Sequence, residues 1–455
     1  MNTEIRNEAD PRAIIADGAM SKAQIAAIAL CTLLNALDGY DVLSISLASP
    51  AIARDWDVDP VTLGVILSME LVGMALGSIL IGRLADRFGR RPLILACATI
   101  VASGMFLAST ANDITALGAF RLFTGLGIGG MTASIVAMTA ELANARSRNL
   151  AVTLMASGFP MGAAVGGAIA SSLLAQYDWR IIFIIGGMGT AAAIPLIFLI
   201  LPESIEFLLH RRPRDTLRKV NATLARFGHP QTTALPPLVE EDLVSRSGLF
   251  APSMRWLTIL LALGYVTHMT TFFFMTKWIP TIFSRAGYSD AEAAGVIVWV
   301  NVGGVAGALL FSLLAKSLPL FRLSIFALLM TSALMIVLGL SVGDLFVLSK
   351  IAAALGFFAN ASVIGMMGIV AMSFPVQLRA GGTGLVTGIG RGGAVFGPVM
   401  AGTLVAAAFT PSAVFATMAM GSLLAAIVLF VLSWVRQATP RDQSASAVAN
   451  PASNT

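Results

Sequence analysis

Two carboxylates, Asp38 and Asp41, lie three residues apart in Leu37-Asp38-Gly39-Tyr40-Asp41, inside an apolar run from about Ile25 to Ile52. That spacing puts both acids on one helix face. The run exceeds the roughly 20 residues that cross a bilayer. Ionisable groups at such depth are costly and normally face a bundle interior or a water-filled path. The chemistry they suit is the movement of protons or charged solutes. Glu70 in the second apolar run and Arg121 in the fourth belong with them by depth. Arg121 lies about eight residues in from the end of its run, or roughly 12 Å. Asp41 and Glu70 sit at a similar level. A deep arginine needs a carboxylate, and these two are the candidates, with Asp41 the better placed and Asp38 closer to the midplane. The pair is either a fixed ion pair or a proton-coupled one, in which protonating the acid frees the arginine.

Arg391, in Gly388-Ile389-Gly390-Arg391-Gly392-Gly393 of the eleventh run, has no evident acidic partner in its own half. Asp290, Glu292 and Asp344 all fall at the rims of that half. A guanidinium matches a carboxylate in bidentate geometry, so Arg391 suits an anionic solute. Alternatively it reaches an acid of the other half or snorkels to the surface. His268 lies near the midplane of the seventh run, where a polar group is a functional candidate. Tyr40, Phe272, Phe273, Trp299 and Asn301 are further candidate contacts for a solute, although aromatic residues in apolar helices are usually packing. Lys277 and Lys350 are expected to snorkel toward the rim, and Trp278 to sit at the interface.

The elements that position these groups follow from composition. Of 455 residues, 57% are hydrophobic and 12% charged, about half the charge of a soluble domain. Mean hydropathy is +0.84. Most of the chain must therefore lie in lipid. Spans are expected at 24–52, 62–82, 92–111, 114–138, 149–174 and 180–201. A long polar stretch, Pro202 to Arg255, follows. Six more are expected at 256–283, 291–314, 321–341, 345–371, 382–408 and 411–435. The expected units are 1–201, a central loop over 202–255, a second bundle over 256–435, and a disordered tail over 436–455. The fold class is an all-α membrane protein of twelve transmembrane helices in two six-helix halves. Such halves support alternating access around a midplane site. Lys and Arg concentrate in the connections on the side of the central loop, including Arg83, Arg87, Arg90, Arg91, Arg146 and Arg148. By the positive-inside bias both termini are cytoplasmic. The first twenty residues are mixed and polar, so the first helix is expected to be retained. Cys31 and Cys97 both lie in apolar runs and form no disulfide framework.

The connection Gly82-Arg83-Leu84-Ala85-Asp86-Arg87-Phe88-Gly89-Arg90-Arg91 resembles the signature of the major facilitator superfamily between spans 2 and 3. The resemblance implies a conformational latch formed by Gly82, Asp86, Arg87, Gly89, Arg90 and Arg91. Asp86 suits a helix N-terminus, and the arginines suit carboxylates of neighbouring helices. The matching stretch of the second half, Ala315-Lys316-Ser317-Leu318-Pro319, lacks the acid. Arg121-Leu122-Phe123-Thr124-Gly125-Leu126-Gly127 resembles the superfamily's buried span-4 arginine with small residues that permit close helix contact. Gly158-Phe159-Pro160-Met161-Gly162 partly resembles the antiporter motif of drug exporters, but glycine-rich packing explains it better. Pro202-Glu203-Ser204 resembles a stretch common in importers.

Asp38-Gly39-Tyr40-Asp41, the full Gly82–Arg91 loop, span 11 from Gly390 to Gly402 and Trp278-Ile279-Pro280-Thr281 together resemble the aromatic acid:proton symporter family of that superfamily. That resemblance implies import of aromatic carboxylates such as benzoate with protons. It implies that Asp38 and Asp41 are needed for transport. Glu70 departs from the family pattern. The expected function is a proton-coupled symporter for a small aromatic or related organic acid in a bacterial inner membrane. Its carboxylate would bind Arg391 or Arg121, with the ring among Tyr40, Phe272, Phe273 and Trp299, while Asp38, Asp41, Glu70 and Arg121 handle the proton. A proton-driven efflux antiporter for a lipophilic compound is the rival. A non-transporting solute sensor is disfavoured by the short central loop. The expected partners are the acid, protons and lipid, with no nucleic acid, no cofactor and no metal, and the protein is expected to act as a monomer. No nucleophile constellation points to an enzyme, and no P-loop to ATP-driven transport.

Overall fold

The structure, a computed structural model, describes residues 10–237, 249, 251, 254–341 and 343–438. Its described residues are helical and connecting segments. A short α1 (Pro11–Asp17) is followed by α2 (Lys22–Asp55), α3 (Pro60–Leu80), a one-turn α4 (Ala85–Phe88), α5 (Arg90–Ser109), α6 (Ile114–Leu142), α7 (Arg148–Leu174) and α8 (Arg180–Ile200). Two short helices, α9 (Ile205–Arg211) and α10 (Thr216–Arg226), lie in the central segment. Then come α11 (Arg255–Arg285), α12 (Asp290–Leu314), α13 (Leu320–Leu340), α14 (Leu345–Ser373), α15 (Val376–Ala406) and α16 (Pro411–Ala438). Twelve of these helices are long and apolar enough to cross a membrane, as the sequence predicts. The helix starts are written locally. Asp59, Asp113 and Asp344 accept backbone N–H bonds at the starts of α3, α6 and α14, and Ser21 and Ser289 form capping boxes with Gln24 and Glu292. The acids at the rims of the second half are thus partly accounted for as caps.

The two sets of six spans repeat one packing scheme. In the first set α2 packs on α7, α3 on α6, and α5 on α6 and α8. In the second set α11 packs on α15, α12 on α14, and α13 on α14 and α16. The closest approaches repeat too. A Cβ added at Gly73 or Gly125 would overlap the carbonyl of Leu122 or Glu70 across the α3–α6 contact. One added at Gly303 or Gly356 would overlap that of Ala353 or Val300 across α12–α14. Gly158 and Gly162 likewise bring α7 against Thr32 and Ala36 of α2, so the packing reading of that stretch holds.

The halves meet through α2–α11, α7–α12 and α3–α15. Those contacts concentrate away from the face that carries the central segment, here the loop face. At the far face Arg54 binds Asp290 (Nη1–Oδ1 2.9 Å) and Ser284. Ser49 and Thr281 share a 2.7 Å hydrogen bond, and Ser171 donates to the Ala291 carbonyl at 2.7 Å. Large apolar side chains such as Leu199, Leu340 and Phe430 are exposed on the outside, which suits hydrocarbon.

Three features differ from expectation. The polar stretch 202–255 contains two helices, because Leu208, Leu209, Val220, Leu224 and Phe227 bury against the first half. Near the N-terminus, α1 forms where Asp10 caps a helix begun by Pro11 and Ile15 is buried. It is tied down by Arg12–Glu206 (2.8 Å) and by Ala145 N–H donating to the Ala16 carbonyl at 2.9 Å. At the other end α16 continues to Ala438, past the predicted end of the span, and residues 439–455 of the predicted tail lie outside the described residues.

Candidate functional site

A cavity of about 750 Å³ lies between the halves on the loop-face side, within the roughly 300–1,000 Å³ usual for small-molecule sites. Four helices line it at regular spacing. From α15 come Arg379, Thr383, Thr387 and Arg391, each four residues after the last. From α11 come Tyr265, Met269 and Phe273, again four apart, joined by Leu71 and Met74 of α3 and Met367 of α14. Steps of four keep side chains on one helix face, so each helix presents a stripe to the cavity. The lining is mainly apolar, with methionines that adapt to ligand shape. Arg379 at the loop-face end is exposed, while Arg391 is half-buried deeper in. Arg391 donates through Nη1 to the Met74 carbonyl at 2.9 Å and has no carboxylate partner among the described residues. The guanidinium thus reaches the other half of the bundle, but its backbone rather than an acid.

One turn beyond Phe273 and Met74 the stripes continue into Lys277 and Glu70. These two and Arg121 are fully buried. Arg121 forms an ion pair with Glu70 Oε1, close in distance but off-line for a hydrogen bond. Lys277 Nζ lies 3.2 Å from Glu70 Oε2 and also donates to the Val42 carbonyl. Arg121 Nη2 further donates to the Asp41 backbone carbonyl at 2.7 Å, and its guanidinium lies 5.4 Å from the Phe183 ring centroid. The expectation that Asp41 is the better partner for Arg121 is therefore corrected. Arg121 takes the main-chain oxygen of Asp41 and the carboxylate of Glu70.

Both carboxylates of the opening pair are buried, and none of their four oxygens has a hydrogen-bond partner among the described residues. The Thr190 hydroxyl faces the Asp41 carboxylate. Asp38 and Asp41 do not line the cavity. The expectation that Lys277 snorkels is overturned as well. The helix runs on to Arg285, so Lys277 stands eight residues, about 12 Å, short of its end. Trp278 is also buried rather than interfacial, and donates to the Pro398 carbonyl at 2.9 Å. Lys350 is exposed, with its ammonium 3.9 Å from the Phe346 ring centroid.

Of the predicted solute contacts, Arg391 and Phe273 line the cavity and the others do not. His268 and Phe272 stand one residue before Met269 and Phe273, about 100° around the helix. His268 is thereby turned to Ser422 of α16 (Nδ1–Oγ 3.0 Å). Phe272 packs edge-on against Phe273 at 5.5 Å. Trp299 is 48% exposed on the outer surface of α12. Asn301 donates to the Ile297 carbonyl of its own helix at 2.9 Å. Tyr40 donates to the Ile182 carbonyl at 2.7 Å, and its ring lines a separate apolar groove between α2, α7 and α8.

The Gly82–Arg91 connection is fastened within the first half. Arg90 pairs with Glu141 of α6 at 2.5 Å, and Glu141 accepts from Ser204 at 2.5 Å. Glu203 accepts from the Arg90 and Arg91 backbone N–H groups at 2.9 and 3.3 Å, capping α5. Gly89 sits at φ 101°, where a side chain is strained, and a Cβ there would meet the Glu203 carboxylate. Asp86 is exposed in the first turn of α4, and its carbonyl accepts from Arg211 Nε at 2.7 Å. Arg87 stacks over Phe88. Sequence reasoning missed Glu141 and Glu203. Their signal was present, since an acid directly after span 6 and one near the end of span 4 fall on the side of the basic loop.

Comparison with known proteins agrees with this architecture. A family model described as Major Facilitator Superfamily matches residues 28–352, more than half of the chain. The chain is 30% identical to the 4-hydroxybenzoate transporter PcaK of Acinetobacter baylyi, over 94% of this chain and 95% of that protein. It is 28% identical to the gallate transporter of Pseudomonas putida, over 91% and 93% of the two chains. Among solved structures, the partially occluded inward open conformation of the xylose transporter XylE from E. coli superposes with a TM-score of 0.69 at 17% identity, covering 90% of this chain and 98% of that one. With the repeated six-helix packing and the cavity between the halves, these matches establish that the chain is a membrane transporter, not an enzyme, and belongs to the Major Facilitator Superfamily.

Proposed function

We propose that the protein is a proton-coupled symporter that imports a small aromatic or related organic acid by alternating access. It works as a monomer in a bacterial inner membrane, with the loop face in the cytoplasm. The observation that carries this reading is the pairing of two unlike sites. One is an apolar cavity with a deep cation, Arg391, that has no acidic partner among the described residues. The other is a pair of buried acids, Asp38 and Asp41, that form no salt bridge among the described residues. A guanidinium among methionine and aromatic side chains suits a ring bearing a carboxylate. An ionised carboxylate without partners is costly in a dry interior, so an acid in that setting is suited to hold a proton. Glu70 is already ion-paired to Arg121 and Lys277, which leaves proton carriage to Asp38 and Asp41. The named relatives carry 4-hydroxybenzoate and gallate, in keeping with an aromatic carboxylate here.

In this scheme the acid and a proton enter from the far face, the halves rock, and the acid leaves along the Arg391–Arg379 stripe of α15. Uptake into proteoliposomes of a labelled acid panel, with and without an imposed pH gradient, tests it. Accumulation of at least one aromatic carboxylate above equilibrium, only with the gradient acid outside, is the expected result. Failure to move any organic acid, or accumulation indifferent to the gradient, contradicts it.

A further inference from the structure

The buried charge cluster is asymmetric across the boundary between the halves. Glu70 and Arg121 both belong to the first half, whereas Lys277 comes from the second. Every hydrogen bond and ion pair that Lys277 Nζ makes among the described residues crosses the boundary, to Glu70 and to the Val42 carbonyl. Alternating access requires the halves to part at the far face. Parting them there leaves Glu70 with Arg121 but strips Lys277 of both acceptors. An ammonium without an acceptor is unfavourable in a dry interior, and it is then turned toward the opening cleft, where a solute carboxylate can meet it. It also continues the α11 stripe of Tyr265, Met269 and Phe273 that lines the cavity.

The geometry points to Lys277 as a second substrate-binding cation, the far-side anchor for the carboxylate of an incoming organic acid. Glu70 is the positioning residue that takes Lys277 back as the halves close, which releases the acid to Arg391. The hand-over is short. Arg391 touches α3 at Met74, one turn from Glu70 and roughly 6 Å along the axis. This inference rests on the organic-acid reading above. Arg121 shares the charge of Glu70 and so keeps the Glu70–Lys277 pair exchangeable, and without Glu70 nothing would displace the acid.

Sided transport assays on Lys277→Gln and Lys277→Arg test this. Glu70 retains Arg121 in both variants. Loss of one charged contact predicts a rise of about 10- to 100-fold in KM for acid supplied at the far face of Lys277→Gln. The KM for exchange from the loop face should stay within about threefold of wild type. Lys277→Arg should recover most of the far-face KM. An equal KM rise at both faces, a fall in rate without a KM change, or no recovery by arginine would show Lys277 to be only a strut and overturn the proposal. A second readout needs no variant. In the wild-type protein, a membrane-impermeant amine reagent applied at the far face should modify Lys277, and saturating acid should protect it. Modification unaffected by the acid also overturns the proposal. If wild-type protein moves no organic acid at all, the parent reading has failed instead.

Discussion

The two halves of this transporter share a packing scheme and differ in charge. Each packs its first helix on its fifth and its second on its fourth, with glycines at the second contact. Yet the buried acids Asp38, Asp41 and Glu70 all belong to the first half. The second half keeps its acids Asp290, Glu292 and Asp344 at the helix starts and contributes Lys277 and Arg391 to the interior. Geometry can thus be duplicated while chemistry is divided. In the proposed reading one half offers acids suited to a proton and the other cations suited to an anion. Glu70, Lys277 and Arg391 lie at the boundary between the halves, whereas Asp41 packs inside the first half, with its Oδ1 close to Gly186 of α8.

The sharpest way to break this comparison is to remove the cation that the first half keeps for itself. Arg121→Met leaves Glu70 with only the cross-boundary lysine. Breaking such a buried pair is expected to lower stability by about 3–5 kcal/mol. Thermal unfolding in detergent should show a clearly lower midpoint, with uptake lost. An unchanged midpoint would mean the pair is not holding the first half together. Next in size is Arg391→Gln, which takes the unpartnered cation out of the cavity. Acid affinity measured from the loop face should fall about 10- to 100-fold, with little change in stability because the lost bond goes to a carbonyl. Equal affinity in the variant would move the anion site elsewhere. The smallest effect is expected at the rim. Arg54→Ala removes an ion pair whose arginine side chain is 59% exposed. Such pairs contribute at most about 1 kcal/mol. The expected readout is a modest shift toward far-face opening, seen as faster labelling of a cysteine placed beside Ser49, with stability unaltered.

Much of this was legible in the sequence, for physical reasons that can be named. Spans follow from the length of apolar runs, and the acids, Arg121 and Arg391 stand out because charge in lipid is rare. Pairing was less legible. Depth alone favoured Asp41 for Arg121, but depth does not fix rotation about the helix, and Glu70 is the acid turned toward α6. Lys277 was misplaced because its type suggested snorkelling, whereas helical phase turns it inward onto Glu70 and the Val42 carbonyl. Trp299 and His268 show the same limit. Residue type marked both as candidates, yet helical phase turns Trp299 outward and His268 toward α16. The short helices of the central segment were hidden in a charged stretch, although Ile205, Leu208 and Leu209 and then Val220, Leu224 and Phe227 keep helical spacing.

The most direct measurement of the central claim is proton movement during acid transport. Proteoliposomes loaded with a pH-sensitive dye would report it for wild type and Asp41→Asn side by side. Proton symport through Asp41 requires aromatic acid uptake to carry protons inward in the wild type. It requires the variant to stay in the membrane and still exchange acid, but neither to move protons with it nor to accumulate it. Proton movement at the wild-type level in Asp41→Asn, with uphill accumulation intact, would contradict it.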